Sequence, residues 1–196
     1  MRFVGAQLRI VVHAALALAF IATAAAATND VSGTVHVSSR PHADAVVWIE
    51  TTAPPPREPA RVVLDQRNLT FSPHVLAVRV GTIVDLPNND RVFHNVFSFH
   101  DGKQFDLGMY PTGASKRLTF DRPGLSRIFC NIHPAMAAYI LAVDSAYFAV
   151  SDRQGRFSIR GVPGGEHPYK AWRPGSDIIS GTVTVGGDTP LTVRWP

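Results

Sequence analysis

The sequence predicts an all-β protein, and three observations predict it. Beyond the first 27 residues, apolar side chains never recur at helical spacing over three turns. Short runs of alternating apolar and polar residues are found instead, and Gly, Pro, Asn and Asp punctuate them throughout. Many short strands at such close spacing are the pattern of a β-sandwich.

Taken in order, the chain opens with Arg2 and Arg9, an apolar stretch from Ile10 to Ala22, and small residues ending in Ala25-Ala26-Ala27. This reads as a secretory signal peptide over residues 1–27, with cleavage expected after Ala27. The apolar run is Ala-rich and shorter than the ~20 strongly apolar residues that span a bilayer. No integral membrane segment is therefore expected after cleavage. No cysteine stands near the cleavage site to carry a lipid, and Arg2 and Arg9 are not adjacent, so neither a lipoprotein nor a twin-arginine signal is supported. The expected location is the periplasm or the cell exterior.

Strands are expected at Val31 to Val37 and Ala45 to Glu50, followed by Thr51 to Pro59, too rich in proline for a strand and read as an extended connector centred on residues 53–60. A continuous block follows over residues 61–145, with strands at Arg61 to Asp65, His74 to Val80, Thr82 to Leu86, Asn95 to Phe99, Arg117 to Phe120, Ser126 to Cys130 and Tyr139 to Val143. The tail adds Phe148 to Val150, Arg156 to Ile159, Tyr169 to Trp172, Thr182 to Val185 and Leu191 to Trp195. The two strands before the connector are too few to stand alone. The tail offers them partners.

Val31-Ser32-Gly33-Thr34-Val35 and Ala45-Val46-Val47, with Asp152 to Ile159 and Gly161-Val162-Pro163-Gly164-Gly165, resemble the carboxypeptidase regulatory-like β-sandwich. That resemblance implies a discontinuous domain of residues 28–52 and 146–196 with the middle block inserted between its strands. Pro168 removes a ladder donor and suggests an edge strand there.

The mature chain of about 169 residues suits one full sandwich or two small domains. Without the two arginines of the leader, the formal charge of +4 falls to about +2, so the balance is not that of a nucleic-acid binder. The single cysteine, Cys130, cannot form an internal disulfide in an exported chain. Its neighbours suggest its use. Phe129-Cys130-Asn131-Ile132-His133-Pro134-Ala135-Met136 offers thiolate, imidazole and thioether within seven residues, and His94 in Val92-Phe93-His94-Asn95-Val96 can add a second imidazole. Two His, one Cys and a weak axial Met suit copper in an electron-transfer role. Structural zinc sites close with four strong ligands and do not recruit a thioether. His74 and His100 are spare imidazoles, and Met109 is a rival thioether read as a surface or partner-contact residue.

The block around these residues resembles the cupredoxins, the plastocyanin-like small blue-copper proteins, and its Cys-x-x-His-x-x-Met loop has the short length of amicyanin. Phe71, the Val75 to Val80 strand and Asp121-Arg122-Pro123-Gly124 also fit that pattern. The resemblance implies a Greek-key sandwich, one Cu(I)/Cu(II) ion held by His94, Cys130, His133 and Met136, and Asn95 tying the ligand loops together. It also implies an electron-transfer surface of His133, Pro134, Ala135 and Ala137. The corresponding function is a periplasmic carrier passing single electrons between redox proteins such as a dehydrogenase and a c-type cytochrome, with amine oxidation a candidate pathway. Copper trafficking or buffering is the alternative, and a structural copper in an adhesion module a third. One ligand set, without a recognisable nucleophile, base and orienter, points away from catalysis.

Overall fold

The computed structural model describes residues 28–52, 61–99 and 102–196. The leader, the 53–60 connector and His100 lie outside the described residues. Among those described, every regular element is a strand, and no helix is long and apolar enough to cross a membrane.

Strands β1 (Thr28–Val37), β2 (Arg40–Pro41) and β3 (Val46–Ile49) open the fold. The middle block contains β4 (Arg61–Val63), β5 (Asp65–Arg67), β6 (Thr70–Ser72), β7 (Val75–Arg79), β8 (Ile83–Pro87), β9 (His94–Ser98), β10 (Phe105–Tyr110), β11 (Ser115–Thr119), β12 (Gly124–Phe129) and β13 (Ala137–Val143). The tail supplies β14 (Tyr147–Val150), β15 (Arg156–Pro163), β16 (Gly165–Trp172), β17 (Ile179–Val185) and β18 (Thr189–Trp195).

The middle block is a sandwich. One sheet has the order β10-β9-β12-β13-β7 and the other β11-β8-β4, with β5 and β6 forming a separate hairpin. Strand β7 joins β13 in parallel, and β4 joins β8 in parallel, so the connections cross over between sheets. Val84, Leu86, Val96, Phe120, Ile128 and Ile140 fill the core between them, and Cys130 and Met136 belong to the same cluster.

The two ends of the chain build the other layers. Strand β1 lies between β15 and β18, with β2 also on β1, and a second sheet runs β14-β3-β16-β17. The chain leaves this unit after β3 and returns at β14, which pairs directly with β3 from Ile49↔Tyr147 to Val46↔Val150. Gly33 is opposite Phe157 on one side and Leu191 on the other, and a Cβ there would lie 1.9 Å from the Leu191 carbonyl oxygen. Only glycine fits.

Strand β3 explains how the units join. Its four residues are all buried, which suits a strand covered on both faces rather than one alternating between core and water. Val47 and Ile49 enter the core with Val35, Ile159 and Val193. Val46 and Trp48 meet Val75, Ala77, Leu141, Val143 and Trp172 in a second layer between the units. The Tyr139 and Trp172 rings pack edge to face there at 5.4 Å, and His74 meets Asp44 at 3.0 Å on the surface.

Three local expectations change. Phe105–Tyr110 is a strand, interrupted by a bulge where Gly108 takes φ +64° and its N–H donates to Asp106 Oδ1 at 2.8 Å. Asp65–Arg67 and Thr70–Ser72 form a hairpin across Asn68 and Leu69, both at positive φ. Pro168 is not on an edge strand, because β16 lies between β3 and β17. The β3 ladder covers only Tyr169–Trp172, so Pro168 lies where that ladder has ended and still accepts from Glu50 N–H at 2.9 Å.

Candidate metal centre

Strand β9 starts at His94, and β12 ends at Phe129, so Cys130 is the first residue beyond its strand. Phe129 pairs with Phe97 and thereby holds the two strands side by side. The loop from Cys130 turns back at once, with Met136 N–H donating to His133 C=O at 2.8 Å. Three side chains converge as a result.

Cys130 Sγ is 3.8 Å from His94 Nδ1 and 3.7 Å from His133 Nδ1, and the two Nδ1 atoms are 3.1 Å apart. The circle through three such points has a radius of about 2.1 Å. Imidazole and thiolate bonds to a divalent first-row metal run roughly 2.0–2.3 Å, so these donors fit an ion of that size without rearrangement. His94 and Cys130 are buried and His133 is half-buried. Met136, 1% exposed, packs in the apolar cluster that contains Cys130. Two imidazoles and one thiolate converge in a triangle whose softness suits copper, and Met136 is buried in the same cluster as Cys130.

The middle block is a β-sandwich carrying a His-Cys-His donor triangle of the kind that suits copper, and in this it resembles the cupredoxins. No protein-family model and no curated protein matches the chain. Among solved structures, a purple cupredoxin from Nitrosopumilus maritimus is 26% identical over 43% of this chain and 99% of its own, with a TM-score of 0.38. A copper-containing nitrite reductase from Thermus scotoductus is 26% identical over 49% of this chain and 25% of its own, with a TM-score of 0.42. A reduced amicyanin variant is 21% identical over 50% of this chain and 98% of its own, with a TM-score of 0.39.

Polar neighbours fix the donors. Asn95, 1% exposed, accepts from Asn131 N–H at 3.3 Å through Oδ1 and donates through Nδ2 to Asp106 Oδ1 at 2.7 Å. It thus links β9 to the Cys130 loop and to β10. On the far side of His94, Nε2 lies 3.0 Å from Asp90 Oδ2. Asp90 also accepts from Leu69 N–H at 2.7 Å and from Arg91 N–H at 2.7 Å. These bonds, Leu69 first, hold its carboxyl down at about 2, so it is an anion across the ordinary pH range.

Asp90 was not visible as a site residue in the sequence. The one available signal is its position four residues before a candidate ligand, in the turn Pro87-Asn88-Asn89-Asp90. Asn88 builds that turn: Oδ1 accepts from Asp90 N–H at 3.0 Å, and Nδ2 donates to Val92 C=O at 2.8 Å and Tyr110 C=O at 3.1 Å. Tyr110, opposite His94 in the β9–β10 ladder, has its phenol pushed up to about 12 by burial.

The remaining candidates lie elsewhere. His74 is engaged with Asp44 and the Tyr139 ring. Met109 is opposite Asn95 on β10 and is 45% exposed. Pro134 and Ala135 are exposed and Ala137 is half-buried. Val92, Phe93 and Ile132, flanking the two histidines in sequence, are also exposed.

Proposed function

We propose that this protein is a one-electron carrier with a single copper ion bound by His94, Cys130, His133 and Met136. The observation that carries the reading is the contrast within the donor set: His94, Cys130 and Met136 are buried, and only His133 is half-exposed. A metal-delivery site must let its ligands exchange with those of a partner. Buried donors on strand ends, already at bonding separation, resist that exchange and need little motion when the ion changes oxidation state.

The bound ion supplies the Cu(II)/Cu(I) couple. His94 and His133 act as neutral imidazole donors, Cys130 as the thiolate, and Met136 as the weak axial donor that sets the potential more than the affinity. His133, with exposed Pro134, Ala135 and Ile132 beside it, is the route by which an electron leaves. An uncharged contact of this kind suits brief encounters that bury little area. Redox proteins of an exported electron-transfer chain, such as a dehydrogenase and a c-type cytochrome, are the partners this reading favours, and amine oxidation is one pathway that would use it. Export by the signal-peptide-like leader belongs to the same proposal. The terminal sandwich, read as carboxypeptidase regulatory-like, is the docking or tethering element.

The test is repeated reduction and reoxidation of the copper-loaded protein in the presence of a strong Cu(I) chelator. Reversible cycling with the copper retained is the expected result. Transfer of the metal to the chelator on reduction would overturn the carrier reading in favour of copper handling.

A further inference from the structure

We propose that Asp90 is a positioning residue for the copper couple: its carboxylate holds the His94 proton on Nε2, leaves Nδ1 as the donor, and biases the site toward Cu(II). This inference rests on the copper-binding reading of the same site.

A neutral imidazole has one N–H and one lone pair, and whichever nitrogen donates a hydrogen bond decides which can bind a metal. His94 is 0% exposed, so no water competes for either nitrogen. Nδ1 faces Cys130 and His133, and Nε2 faces Asp90 Oδ2 at 3.0 Å. Asp90 Oδ2 already accepts Leu69 N–H and Oδ1 accepts Arg91 N–H, so the carboxyl meets His94 as an acceptor and the shared proton belongs to Nε2. The same geometry orients the ring and makes it a stronger electron donor, as carboxylate partners of metal-bound histidines do.

Asp90 is itself held in place. It is 8% exposed and receives Leu69 N–H and Arg91 N–H in addition to His94. The Leu69 bond is notable, because Asn68 and Leu69 take φ +52° and +56°, a conformation disfavoured for leucine. The β5–β6 hairpin thus presents a backbone donor to the carboxylate that orients the ligand. A buried negative charge one imidazole away stabilises the more positive oxidation state. Removing the charge while keeping the shape should therefore favour Cu(I).

Redox titration of copper-loaded Asp90→Asn against wild type tests this. The amide oxygen can replace Oδ2 toward His94 and Leu69, so the hydrogen bonds there survive, while the charge and the bond from Arg91 N–H to Oδ1 are lost. The expected shift is about tenfold toward Cu(I), equivalent to a rise of about 59 mV for a one-electron couple, with the thiolate absorption band kept. A shift below threefold, or one toward Cu(II), overturns the proposal. Nitrogen-15 imidazole NMR of the metal-free wild type provides a second test that needs neither copper nor a folded variant. A His94 proton on Nε2, slow to exchange, is expected, and a proton on Nδ1 overturns the assignment. If wild type binds no copper through Cys130, the carrier reading fails, while the NMR result still decides whether Asp90 fixes His94.

Discussion

Asn95→Ala should loosen the metal loop from its scaffold, and the structure gives the size of the effect. The substitution removes the donor to Asp106 Oδ1 and the acceptor for Asn131 N–H from a side chain that is 1% exposed. A neutral hydrogen bond contributes about 1 kcal/mol net and one to a charged group about 1.5–3 kcal/mol. Asp106 keeps Gly108 N–H, so its loss belongs at the lower end of that range. Together the two bonds come to about 2.5 kcal/mol, which in a chain of this size lowers Tm by roughly 5–10 °C. Thermal unfolding of the metal-free protein followed by near-ultraviolet circular dichroism is the assay. The double variant Asn95→Asp, Asp106→Asn reverses the polarity of the first bond and should recover part of the loss, whereas Asn95→Asp alone sets two carboxylates together and should not. A Tm for Asn95→Ala within about 2 °C of wild type would refute the claim that this side chain fastens the loop.

Met136→Ala should keep copper bound through His94, Cys130 and His133 but shift its potential, and should cost the metal-free protein about 2–5 kcal/mol as a buried truncation; redox and denaturant titrations read the two effects. Acid should weaken the metal-free fold as pH falls from about 4 to about 2, because the Asp90 carboxyl is held at about 2 and its stabilising ionisation is complete only above the ordinary carboxylate range. That contribution is on the order of 2 kcal/mol, and acid titration should show it diminished in Asp90→Asn. Trp172→Ala should cost about 3–5 kcal/mol by emptying the layer where Trp172 meets Tyr139. Limited proteolysis should then cut between the two units before either core opens, and an unchanged digestion pattern would count against a shared interface.

Much of this architecture is legible in the residues. Leu191, Val193 and Trp195 alternate with exposed neighbours in β18, so a period of two marks a strand with one wet face. The donor types of the site are equally plain, because the single Cys, two His and a Met follow an order that few other chemistries use. What stays hidden depends on distant contacts. The Phe105–Tyr110 strand contains Asp106 and Gly108, poor strand formers that break its alternation, and only the pairing with β9 across a bulge makes it a strand. The Asn68-Leu69 turn lacks the usual glycine, and its leucine N–H finds its partner in Asp90, 21 residues later. Asp90 itself belongs to no motif. Its role comes from an Asx-type turn built by Asn88, which brings the carboxylate against the ring of His94. Pro168 misleads for the opposite reason: an interior strand can tolerate it where a shorter neighbour has already ended.

The most direct test of the central claim is the visible absorption and electron spin resonance of the protein with one equivalent of Cu(II), measured beside Cys130→Ser. The donor triangle predicts an intense thiolate-to-copper band with narrow hyperfine splitting in wild type, absent from the variant. A wild-type spectrum without that band, or one that Cys130→Ser leaves unchanged, would contradict a copper centre built on Cys130.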